Sequence, residues 1–69
     1  MKEEYEITML DTIEYRFKVD KETRDKFDIA YQVNGGAYAF EELEKISSAE
    51  EGGITHCDYQ LNQIKDLTA

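Results

Sequence analysis

The chain has no proline, no tryptophan, a single cysteine and only four glycines in 69 residues. Without proline it reads as a packed domain and not as a stiff linker. One cysteine forbids an intramolecular disulfide, and a cytoplasmic setting is expected. No apolar run approaches the ~20 residues that span a bilayer or the shorter core of a secretory leader, so no membrane partner is expected. Cations are scarce. Eight Lys and Arg face 16 Asp and Glu, giving a net charge of −8. A pI near 4.4 makes direct binding to nucleic acid or an anionic membrane unfavourable, because both repel the chain.

Hydrophobic residues make up 41% of the sequence, with five Tyr and three Phe, too many for a disordered acidic tail. At this length burial reaches about 60% of the unfolded surface, so residues 1–69 are expected to form one small acidic domain.

Tyr5, Ile7, Met9, Ile13, Tyr15, Phe17 and Val19 occupy odd positions, with polar residues between them. That alternation is the mark of a half-buried β segment. Asp11 interrupts it by placing a carboxylate on the apolar face. A hairpin turning at Leu10-Asp11-Thr12 removes the conflict and pairs Met9 with Ile13, Ile7 with Tyr15 and Tyr5 with Phe17. One long strand bulged at Asp11 is the alternative.

Asp20 to Lys26 is wholly polar and reads as a solvated loop or a single helical turn. Phe27, Ile29, Tyr31 and Val33 alternate again and run into Asn34-Gly35, the strongest short hairpin signal. The expected register sets Tyr31 opposite Tyr38 and Ile29 opposite Phe40. Phe40, Leu43, Ile46 and Ala49 recur every three residues and predict a helix ended by Gly52-Gly53. Ile54, Cys57, Leu61, Ile64 and Leu67 form a helical stripe, although Thr55, Cys57, Tyr59 and Leu61 also fit a strand. The stripe is longer, so the helix is preferred. The expected fold is α+β, a small antiparallel sheet of three to four strands (two hairpins) with one or two helices on one face.

Catalytic and metal chemistry finds little footing. His56 and Cys57 are neighbours in the chain, which points them apart on either a strand or a helix and prevents a Cys–His pair. Zinc wants four Cys or His ligands and the chain holds two. The run Asp20 to Asp28 has acids but no glycine, and three cations lie inside it, unlike a calcium loop. Neither Gly35-Gly36 nor Gly52-Gly53 has the spacing or lysine of a phosphate loop. No cofactor and no enzymatic activity are expected.

The acidity therefore becomes the leading clue. Glu41, Glu42, Glu44, Glu50 and Glu51 are expected along one helix, and Glu3, Glu4 and Glu6 open the chain. Such a face suits a protein partner with a basic, nucleic-acid-binding surface, which it would block by competition. In size, charge and lack of catalytic residues the chain resembles the small acidic proteins that phages and mobile elements direct against host defences, of the anti-CRISPR or anti-restriction type. That resemblance is one of composition and covers no motif. It implies a non-enzymatic inhibitor. The other readings are a small structural or regulatory interaction module, such as a homodimer built on a sheet edge or the C-terminal helix, a minimal enzyme or small-ligand protein, and charge that serves only solubility.

Overall fold

A computed structural model describes residues 3–68. Strands β1 (Glu4–Leu10) and β2 (Ile13–Asp20) form the expected first hairpin. Two helices follow, α1 (Lys21–Asn34) and α2 (Gly36–Ile46), and then strands β3 (Ala49–Ile54) and β4 (Gln60–Asp66). The sheet is antiparallel throughout, in the order β3-β2-β1-β4. The fold is thus α+β, with four strands and two helices.

The hairpin turns one residue later than the alternation predicts. Leu10 faces Glu14, Met9 faces Tyr15, Ile7 faces Phe17 and Tyr5 faces Val19. Both registers span an odd loop and keep the apolar residues on one face, so alternation alone does not separate them. The observed turn puts Asp11 outside the ladder, where its N–H donates to the Ile13 carbonyl at 3.0 Å.

The expected second hairpin, at residues 27–40, is absent. In its place α1 starts at Asp20, whose carboxylate accepts from the Thr23 N–H at 2.8 Å and caps the helix. The polar run read as a loop is the first part of the helix, held by Lys21–Asp25 and Glu22–Lys26 ion pairs four residues apart. Of the alternating residues only Phe27 is buried and Tyr31 half-buried, while Ile29 and Val33 lie in solvent. Asn34-Gly35 ends a helix and does not turn a hairpin. Gly35 has φ 87°, which favours glycine, and its N–H bonds to the Tyr31 carbonyl at 3.0 Å.

Helix α2 takes the first part of the expected stripe, burying Ala39, Phe40 and Leu43, but it stops at Ser47. Ala49, Glu50, Glu51 and Gly52-Gly53 belong to β3, not to the helix. The register with β2 slips by one residue between Tyr15 and Ile13, where Gly52 and Gly53 lie opposite Glu14. The preferred C-terminal helix is also overturned, since residues 60–66 are a strand. Leu61 faces Met9 and Ile64 faces Ile7, with Asn62 extra between them. One bulge thus puts Leu61 and Ile64, three apart, on the same face and imitates a helical stripe.

The core lies between sheet and helices. Ile7, Met9, Phe17 and Leu43 are its largest fully buried side chains, each contributing about 1.5–3 kcal/mol by burial. Phe40 ties the layers together, with ring centroids 4.9 Å from Tyr15, 5.6 Å from Phe17 and 5.2 Å from Tyr59.

Candidate functional site

The pleat sends Glu6, Thr8, Leu10, Glu14, Arg16, Lys18 and Lys65 to the face of the sheet away from the core. Glu50, opposite Arg16, joins them, and the two are 3.8 Å apart. Glu14 approaches Arg16 from the other side at 3.7 Å. On this outer face Arg16, Lys18 and Lys65 stand among Glu6, Glu14 and Glu50, and the Glu4–Asp20 pair at its end adds two further acids. Helix α1 is balanced, with Lys21, Arg24 and Lys26 against Glu22, Asp25 and Asp28.

Glu4 and Asp20 included, ten acids remain against Lys2 and Lys45, and they make up the entire −8. Most of these acids fall in two places, apart from Glu42, which pairs with Lys45, and Asp58 in the loop before β4. At one end of the sheet Glu4 is directly opposite Asp20, beside the exposed Glu3, while Asp66 pairs with Tyr5 on the other face, where Arg24 is its charged neighbour. Like charges directly opposite one another across a ladder are unfavourable. Asp66 itself is held below the ordinary carboxylate range by hydrogen bonds from Thr68, chiefly its backbone N–H.

The other group surrounds Tyr15, on β2 beside the edge strand. Its phenol is raised above the ordinary value, first by partial burial and then by the negative charges of Glu51, Asp11 and Glu44, with Tyr59 adding a small effect. Glu44 comes from α2, Glu51 from β3 and Asp11 from the β1–β2 turn. Glu41 is one turn before Glu44 on the exposed side of α2. The Asp11 turn is fixed from the opposite side of the chain. Its carbonyl accepts from the Cys57 N–H at 3.3 Å and from the Thr55 hydroxyl, and Thr12 accepts from the Thr55 N–H at 2.9 Å.

The eight glutamates expected to act together are therefore divided. Glu44 and Glu51 share the surface around Tyr15, while Glu41 lies one turn along the exposed side of α2, where its charge acts on Lys45. Glu50 is on the other side of the sheet with Arg16, and Glu6 stands between Lys18 and Lys65. Glu42 turns toward α1, bonds Lys45 at 2.8 Å and accepts from the Tyr38 hydroxyl at 3.4 Å. The Lys45 hydrogen bond and charge hold Glu42 below its usual range, and the same contact raises Lys45. Glu3 and Glu4 mark the far end of the sheet. Asp11 and Asp20 complete the two groups and were missed as acids. Asp11's break in the alternation was the available signal, and Asp20's position opposite Glu4 emerges only from the register.

Cys57 is a free, half-buried thiol in the loop before β4 and lies on no helical stripe, beside an exposed His56. Among the described residues no three His, Cys, Asp or Glu side chains converge as metal ligands. No helix among them is long and apolar enough to cross a membrane. An apolar groove of about 250 Å³ separates α1 from α2, lined by Phe27, Ala39, Leu43 and Ile46 and rimmed by Lys26 and Lys45. A second hollow of about 280 Å³ lies at the Glu3–Glu4–Asp20 end. No family model matches this chain, and neither a curated protein nor a solved structure matches it.

Proposed function

We propose that this chain is a non-enzymatic inhibitor that places an acidic surface on the basic, nucleic-acid-binding surface of a protein partner. One observation carries the reading. Acids gather in two places, beside Tyr15 (Asp11, Glu44 and Glu51) and at the Glu3–Glu4–Asp20 end of β1. Charge that served solubility alone would have no reason to be sorted this way.

The two acidic groups are separated by the length of β1, roughly 20 Å, long enough to engage a groove and not a single lysine. Glu44, Glu51 and Asp11, with Glu41 one turn away on α2, form the principal contact, and Glu3, Glu4 and Asp20 the second. Binding is fast and salt-sensitive, because steering by such a field is screened beyond about 8 Å in physiological salt. The setting is cytoplasmic, where nucleic-acid-processing effectors work and the Cys57 thiol stays reduced.

Affinity capture from a lysate of the native host, with partners identified by mass spectrometry, tests the reading. Retained proteins should be basic nucleic-acid binders, and E41K/E44K/E51K should release them. Capture that survives both this variant and high salt refutes it.

A further inference from the structure

The face formed by α1 and α2 carries most of the exposed large apolar side chains. Ile29 is 64% exposed, Val33 72%, Tyr38 44% and Ile46 63%. Ile29 and Val33 are one turn apart on α1, on the side away from the buried Phe27. Tyr38 begins α2 just beyond the Gly35 junction, and Ile46 lines the groove between the helices at its other end. Together the four leave on the order of a few hundred Å² of apolar surface in water. A standard interface takes about 800 Å² from each partner, a little over half of it apolar, so this patch is of the order that one subunit of a stable dimer contributes.

The charge of the face selects the occupant. Helix α1 is neutral overall, and the lysines that rim the groove are already paired, Lys26 with Glu22 at 3.2 Å and Lys45 with Glu42 at 2.8 Å. A basic partner is drawn instead to the acidic groups at Tyr15 and at the far end of β1. A face with both signs in balance is complementary to itself, which is what an isologous two-fold contact needs.

We infer that the α1–α2 face is the interface for a second copy of this chain, with the two α1 helices crossing antiparallel so that Ile29 of one copy meets Val33 of the other. The contact uses neither Glu44 nor Glu51, so the dimer presents two acidic surfaces.

Sedimentation equilibrium up to about 300 μM, a range that detects weak dimers, tests the inference. The wild-type chain should sediment at twice 8.0 kDa. Raising NaCl from about 0.05 to about 0.5 M should tighten the dimer, since salt screens repulsion between two −8 bodies. Partner capture by the acidic surface weakens under the same change, so failure of one claim is distinguishable from failure of the other. I29E/V33E should weaken the dimer at least about 100-fold, with an unchanged circular dichroism spectrum, while E44K/E51K should remain dimeric. If the double variant does not fold, Val33→Gln read against wild type decides the question. A monomer across the concentration range, or a dimer indifferent to Val33→Gln and to I29E/V33E, overturns the inference.

Discussion

The carbonyl oxygen of Tyr59 occupies the space that a β-carbon on Gly36 would fill. The loop before β4 therefore closes directly onto the α1–α2 junction, and Tyr59 adopts φ 48° to do so. The Leu61 N–H donates to the Tyr31 hydroxyl at 3.3 Å beside this contact. Gly36→Ala forces backbone against backbone, where no flexible side chain can yield. It should cost about 2–3 kcal/mol or more in urea denaturation. Gly53→Ala, where a β-carbon meets nothing within 4 Å, should change stability by less than about 0.5 kcal/mol.

Phe40 joins the sheet, α2 and the Tyr59 loop through three ring contacts. Phe40→Ala should cost about 3–5 kcal/mol, enough to unfold much of a domain this small at room temperature. Ile54→Ala, at a side chain almost wholly in solvent, should be near neutral. Thermal melts followed by circular dichroism compare the two.

Asp20 has opposed roles. Its carboxylate caps α1 through the Thr23 N–H, yet it is also directly opposite Glu4. Asp20→Ala should destabilise by about 1 kcal/mol, because the cap is lost. Asn caps as well as Asp does and removes the charge, so Asp20→Asn should match or exceed wild-type stability at low salt. The advantage should shrink as salt is added.

The distribution of structure between legible and illegible follows from what alternation encodes. Residues 5–19 show period two because one face of β1 and β2 is buried and the other carries the solvated charges of Glu6, Arg16 and Lys18. Residues 27–33 show the same period by accident. Ile29 and Val33 are apolar but unburied, so hydrophobicity there does not report the core. The Asp20 cap and the 21–25 and 22–26 charge spacings were the countersigns, and they outweigh Asn34-Gly35, which serves a helix end as readily as a hairpin. Residues 61 and 64 mislead because a bulge adds one residue to a strand. At the candidate site the sequence marks Glu41, Glu44 and Glu51 as acids, but only the sheet separates Glu51 from Glu50. Strand neighbours point to opposite faces, so one meets Tyr15 and the other meets Arg16.

The Tyr15 phenol reports the acidic surface directly. Its raised value means that folding favours the neutral phenol. This stabilisation is present below the ordinary value of 10.0 and lost as pH rises through the higher folded value. Ultraviolet titration should find one tyrosine ionising late, absent in Tyr15→Phe. Glu51→Gln should bring that transition closer to the ordinary value, and Glu44→Gln should do so by less. Glu42 behaves in the opposite sense. Its lowered value contributes stability above the ordinary 4.5 that disappears as pH falls through the folded value, and Lys45→Ala should remove that acid-side dependence.

The most direct test of the central claim compares the wild-type chain with E41K/E44K/E51K and with a control, Glu50→Lys, whose native carboxylate lies beside Arg16 on the outer face of the sheet. Each is immobilised, exposed to lysate of the native host and eluted with a rising NaCl gradient, and the eluted proteins are identified. The account predicts that wild type and Glu50→Lys retain the same nucleic-acid-binding proteins, released as salt rises, and that the triple reversal retains none of them. Equal retention by all three chains, or release that ignores salt, would contradict it.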